Sequence, residues 1–209
     1  MLNYQYPDTV LLIFCKAPIA GQVKTRLIPT LTAEQAMQLH IELSLSTLQR
    51  ATQNTLCPVQ LWCTPTMNHA FFTTAVHDYP ITLQQQQGND LGKRMNHALC
   101  TALKDYKRAV LIGCDCPSLT SQDLANAITA LNDKITVVFA PAEDGGYVLI
   151  GLNRPHPELF HNMPWSNERL MQKTRTCCQQ QGIIYYELAI QWDVDTPKDL
   201  ARYYQSKQV

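Results

Sequence analysis

The 209-residue chain is 45% hydrophobic and 16% charged, a balance that suits a soluble globular protein and excludes a disordered or membrane-embedded one. Its 17 Lys and Arg offset 17 Asp and Glu, so the formal charge is zero and no broad basic surface is offered to a nucleic acid. The length suits a single domain over residues 1–209, and the eight cysteines, most of them in apolar or helical stretches, read as buried free thiols rather than a disulfide scaffold.

Val10–Cys15 is the first expected strand, apolar almost throughout. It is too short to span a bilayer and no basic segment precedes it, so neither a membrane span nor a secretory signal is expected and the chain reads as cytoplasmic. The loop KAPIAGQVKTRL at Lys16–Leu27 follows directly. Gly21 lets backbone approach an anion, and Lys16, Lys24 and Arg26 together suit phosphate binding, although neither the Walker pattern nor the dinucleotide fingerprint is present. Thr32 with Gln35 forms a capping box for a helix whose Ala36, Leu39, Leu43 and Leu48 make an apolar stripe. His40 beside that stripe reads as a packing or surface histidine.

Val59, Leu61 and Cys63 alternate as a second strand, Asn68–Val76 reads as a helix, and Ile81–Leu83 as a brief third strand. Gly88–Arg94 leads into a helix bearing Met95, Ala98, Leu99, Ala102 and Leu103. Asn89 or Asp90 either caps that helix or lines a pocket for a base or sugar. The run Val110–Ile112 has the composition of a central parallel strand. Gly113 ends it, and Asp115 either points into the crevice where open α/β sheets bind ligands or caps the turn before the helix starting near Thr120. Cys114 and Cys116 bracket Asp115 at a spacing unusual for zinc.

Thr120 with Asp123 starts a helix carrying Leu124, Ile128 and Leu131, and Thr136–Pro141 is another apolar strand. Ala142–Leu152 reads as a tight turn and a strand. Glu143 and Asp144 before Gly145–Gly146 are either functional acids at a strand end or hairpin chemistry. Ser166 is expected to cap a helix running to about Gln181, and Ile183–Leu188 to form a strand. Asp193 and Asp195 flank Val194, so in an extended segment both carboxylates face one side. Thr196, Pro197 and Asp199 then start the last helix.

These acids each follow an apolar run, and an α/β sheet can bring such ends to one edge. Carboxylates gathered there without a cation repel one another; Mg²⁺ or Mn²⁺ relieves that and keeps coordination sites for phosphate. The residues therefore point to a metal-dependent transferase acting on a nucleotide or an activated sugar.

The segments FCKAPIAGQVKTRL, GNDLGKRM, IGCDCPSL, PAEDGGYVLIGL, PW and DVDTPKDL, in this order from about residue 10 to about residue 204, resemble the bacterial DUF2064 family of the GT-A superfamily. Some members of that family are labelled arsenosugar-biosynthesis glycosyltransferases. The resemblance implies a Rossmann-like three-layer α/β/α fold with a mostly parallel mixed sheet, whose N-terminal half binds the nucleotide and whose C-terminal half binds the acceptor. It further implies metal binding by Asp115 with Asp193 or Asp195, and phosphate binding by Gly21, Lys24 and Arg26. The first loop lacks the glycine density of sugar-phosphate nucleotidyltransferases, and the central acid lies in Cys-Asp-Cys rather than a strict DxD. Glycosyl transfer from a nucleotide-diphospho-sugar to a small-molecule acceptor, with Asp144 or Glu143 as base, is the first expectation. Nucleotidyl transfer from a nucleoside triphosphate with loss of pyrophosphate is the second, and a non-catalytic nucleotide binder the third.

Overall fold

The computed structural model describes residues 2–28, 30–165 and 167–207. Strands β1 (Thr9–Lys16), β2 (Val59–Thr64), β3 (Ile81–Gln85), β4 (Arg108–Ile112), β5 (Val137–Pro141), β6 (Tyr147–Leu152) and β7 (Tyr185–Glu187) form one sheet in the order β3-β2-β1-β4-β6-β5-β7. β1 runs parallel to β2 and β4, and only β6 is reversed, between β4 and β5. The helices are α1 (Ala33–Thr52), α2 (Ala70–Asp78), α3 (Leu91–Ala102), α4 (Ser121–Ala130), α5 (Leu170–Gln181) and α6 (Pro197–Ser206).

Strand alternation decides which helix covers which face. Leu11, Ile13 and Cys15 of β1 pack with Leu48 of α1, Phe72 of α2 and Ile128 of α4. Val10 and Leu12 pack with Leu99 of α3 and Met171 and Cys178 of α5 on the other side. The result is the three-layer, mostly parallel mixed sheet of the GT-A fold. A third, smaller core holds α6 against α1 through Leu39, Leu43, Leu200 and Tyr203, with Val194 fully buried among them.

Helix starts follow the local chemistry of the sequence. Thr32–Gln35, Thr120–Asp123 and Thr196–Asp199 all form reciprocal capping boxes, and Asp90 caps α3 by accepting from the Lys93 N–H at 2.7 Å. Two helix starts differ from expectation, and β7 covers only Tyr185–Glu187 of the expected Ile183–Leu188. α2 begins at Ala70 behind His69, whose ring accepts from the Phe71 N–H. α5 begins only at Leu170, without a side-chain cap; Ser166 lies outside the described residues. The third strand extends to Gln85 because parallel pairing with β2 carries it two residues past its apolar part. Among the described residues no helix is long and apolar enough to cross a membrane.

Candidate active site

The sheet order reverses at β1 and β4: the chain moves outward from β1 to β2 and β3, then returns to place β4 on the other side of β1. Such a switch point leaves a crevice at the carboxyl ends of the strands. Here it opens as a cleft of about 430 Å³, lined by Lys16, Lys24 and Arg26 from the loop after β1, Arg94 of α3, and Asp115 and Asp195. A smaller hollow of about 140 Å³ adjoins it, with Asp115 and Asp193 beside Phe14, Met95, Leu111 and Tyr147. The acids therefore sit where a cleft bearing four cationic side chains meets a smaller hollow lined mainly by apolar ones.

Asp193 and Asp195 reach this place because backbone hydrogen bonds lay the segment before α6 along the β4 exit. The Val194 N–H donates to the Asp115 carbonyl at 3.0 Å, the Trp192 N–H donates to Ser118 Oγ at 3.0 Å, and the Gln191 N–H donates to the Pro141 carbonyl at 2.8 Å. Burial of Val194 turns its two neighbours outward together. One carboxylate oxygen each from Asp115, Asp193 and Asp195 then lies within 4.8 Å of the others. Three hard oxygen donors that close fit Mg²⁺ or Mn²⁺.

Lys24 is the cation that faces these acids. Its Nζ donates to Asp115 Oδ2 at 2.9 Å, to Asp195 Oδ1 at 3.0 Å and to the Val194 carbonyl at 2.7 Å. Those three acceptors use all three of its N–H donors, so in this conformation none points at a phosphate. The side chain is 5% exposed, and its residue holds a left-handed φ of 49°, backbone strain at the point where the loop turns inward. Burial favours the neutral amine, but the charges of Asp115 and Asp195 outweigh it and hold the Lys24 pKa above the ordinary lysine range. Burial likewise opposes the Asp115 charge, while Lys24 pulls its pKa below the usual carboxylate value. Asp193 makes no ion pair with Lys24: burial, then the charges of Asp115, Asp195 and Asp144, outweigh the pull of the Lys24 charge and push it up to about 7.

The remaining candidates divide. Lys16 and Arg26 line the cleft, Arg26 also pairing with Asp195 at 3.2 Å, whereas Gly21 turns the loop at φ +76° outside the lining. Asp90 caps α3 and borders a separate hollow with Trp165 rather than the main cleft. Glu143 faces Arg202, whose Nη1 donates to it at 2.9 Å, and Asp144 Oδ1 accepts from the Gly146 N–H at 2.9 Å. Gly145 is required by packing: at φ +86° a Cβ would lie 1.9 Å from the Glu168 carbonyl oxygen. Gly92 is required too, because Trp165 lies flat where its Cβ would be, 2.4 Å from the ring. Arg94, absent from the sequence-based candidates, is fixed by donating from Nε to the Gly88 carbonyl at 2.9 Å and faces the cleft. Its signal was the charge directly after Gly92-Lys93 at a helix start.

Sequence reading also missed a second cluster. Cys15, His40 and Cys114 are buried, and their ligand atoms all lie within 4.8 Å of one another, a candidate metal-binding set of different chemistry from the acids. Contact between the two thiols pulls Cys114 down to about 6 and pushes Cys15 up. All eight cysteines are free, as expected.

Fold and acid cluster together define a GT-A scaffold of the kind shared by nucleotidyl- and glycosyltransferases. The similarities agree. A protein of Desulfovibrio desulfuricans G20, provisionally described as a nucleotide-diphospho-sugar transferase, has 28% identity over 96% of this chain and 88% of its own, with a TM-score of 0.86. CMP:2-keto-3-deoxy-manno-octonic acid synthetase, in complex with CTP, shares the fold at 12% identity and TM-score 0.61, over 97% of this chain and all (100%) of its own. Glucosyl-3-phosphoglycerate synthase of Mycobacterium tuberculosis, with Mn²⁺, UDP and glucosyl-3-phosphoglycerate, shares it at 8% identity and TM-score 0.51, over 93% and 75%. No curated protein sequence matches the chain. The family profile described as uncharacterized protein conserved in bacteria (DUF2064) matches residues 47–167, more than half of the sequence. The chain belongs to that family.

Proposed function

We propose that this protein is a Mg²⁺- or Mn²⁺-dependent glycosyltransferase that takes a sugar from a nucleotide-diphospho-sugar to a small-molecule acceptor. The observation carrying this reading is the three-carboxylate cluster at the junction of a basic cleft and a small apolar hollow. The donor diphosphate lies against Lys16, Arg26 and Arg94, and Asp115, Asp193 and Asp195 hold the divalent ion. That ion supplies neutralisation of the charge growing on the departing diphosphate. Lys24 balances the acids before the ion arrives, and its ammonium becomes free to face phosphate afterwards. Asp144 is the better placed of the two acids for accepting the acceptor hydroxyl proton, since Glu143 is engaged by Arg202. The likeness to the Desulfovibrio protein supports this choice.

A second reading, nucleotidyl transfer with loss of pyrophosphate, is favoured by one feature: four cationic side chains, Lys16, Lys24, Arg26 and Arg94, line a single cleft of about 430 Å³. The product separates the two. Incubation with sugar nucleotides and Mn²⁺ is expected to release free nucleoside diphosphate; turnover only of nucleoside triphosphates, with pyrophosphate as product, overturns the first reading. Nucleotide binding without turnover of any donor, and with Asp115→Asn altering affinity alone, would leave a binding protein.

A further inference from the structure

We propose that Cys15, His40 and Cys114 form a second cation site, specific for a soft or borderline transition ion such as Zn²⁺ and independent of the carboxylate site. The three residues come from the end of β1, the second turn of α1 and the exit of β4, separated by 25 and 74 positions in the sequence, yet they meet in one buried cluster. Cys15 Sγ and His40 Nε2 are 3.9 Å apart. Two ligands bound to one tetrahedral ion at about 2.3 Å for sulfur and about 2.0 Å for nitrogen lie roughly 3.5 Å from each other, so a small inward movement completes the set. Cys15 and Cys114 each lie two residues past Ile13 and Ile112, which pair across neighbouring parallel strands. That arrangement aims both thiols at the α1 side of the sheet.

The surroundings match what such an ion needs. All three residues line the 430 Å³ cleft, which gives the ion a route in and a water for the fourth position. Ser44 Oγ stands 3.6 Å from Cys15 Sγ, placed to donate to the thiolate, and Thr47 Oγ1 donates to the Cys114 carbonyl at 3.4 Å, holding that residue. His40 Nε2, now 2.9 Å from the Lys16 carbonyl, exchanges that contact for the ion. Charge balances: both sulfurs bind as thiolates, any proton still held passing to solvent, and one divalent ion offsets their two negative charges. Hard Mg²⁺ has no reason to choose sulfur, and the carboxylate cluster has none to offer, so the two sites sort ions by softness although Cys114 and Asp115 are consecutive.

Reduced, chelator-treated protein titrated with Co²⁺ tests this. One equivalent is expected to give a thiolate-to-cobalt charge-transfer band that Zn²⁺ abolishes and Mg²⁺ leaves intact. The band should vanish in Cys15→Ser/Cys114→Ser and persist in Asp195→Asn. Absence of the band, or its survival in the double variant, overturns the proposal. Zinc K-edge absorption of the unmodified protein reads the ligands without any variant: two sulfurs in the first shell support the site, and a shell of oxygen and nitrogen alone overturns it.

Discussion

Replacing Lys24 by Met keeps most of the buried stem and removes the ammonium. Three hydrogen bonds disappear, two of them to carboxylates at 2.9 and 3.0 Å, and the acids that remain share a space only 4.8 Å across. Taking one partner from a fully buried ion pair costs about 3–5 kcal/mol, whereas exposed pairs contribute about 0–1 kcal/mol. Lys24 is 5% exposed but Asp115 and Asp195 are 34% and 33% exposed, so water screens part of the loss. A cost of roughly 2–3 kcal/mol follows, which for a chain of this size lowers Tm by roughly 4–12 °C. The measurement is thermal unfolding at neutral pH, first with chelator and then with Mn²⁺. Without Lys24 only the exposed Arg26 still competes for these acids, so Mn²⁺ should stabilise the variant more than the wild type. Equal Tm values in chelator, or equal increments with Mn²⁺, would refute the assignment of Lys24 as the cation that balances this cluster.

Asp115→Asn should abolish the Mn²⁺-dependent part of stabilisation by sugar nucleotides; the same shift with chelator present would contradict a metal bridge. Asp193, pushed up to about 7, holds a proton in the folded protein that the unfolded chain releases near pH 4, so the metal-free fold loses stability as pH rises from about 4 through 7. An arriving ion must displace that proton, and calorimetric Mn²⁺ affinity should therefore fall below pH 7 by up to about tenfold per unit. Gly145→Ala should cost at least about 2 kcal/mol and be visible as a lowered denaturant midpoint, because both its φ and the Glu168 carbonyl exclude a side chain. Glu143→Gln should change stability by under about 1 kcal/mol, since its pair with Arg202 is exposed, and should leave turnover intact if Asp144 is the base.

Elements whose causes are local could be read from the chain. Three capping boxes, the alternating faces of β1 and the glycine turn before β6 were visible because each depends on residues within a few positions of one another. The pairing of Asp193 with Asp195 was visible for the same reason. Their distance to Asp115 was not, since it is set by the Trp192 and Val194 N–H groups donating to Ser118 Oγ and to the Asp115 carbonyl, partners 74 or more positions earlier. Lys24 could be recognised as a charge near the site, but its inward turn depends on acceptors 91 and 171 positions away. His40 looked like a packing residue because its neighbours in space, Cys15 and Cys114, lie on two different strand ends. Gly145 was legible as a turn residue, but the Glu168 carbonyl that also excludes a side chain there lies 23 positions away and was not.

The stitching of residues 191–195 onto the β4 exit also separates the making of the sheet from the making of the site. Among the described residues all seven strands are complete by Glu187, so the sheet is specified by a stretch of sequence that holds only one member of the acidic constellation, Asp115. Lys24 finds one of its partners 171 residues downstream, and the carboxylate cluster is complete only once the segment carrying Asp193 and Asp195 has docked. A chain stopped after Ile190 should thus keep the β-architecture and be blind to Mn²⁺, making Mn²⁺ capture a readout of the docked 193–195 segment rather than of the sheet.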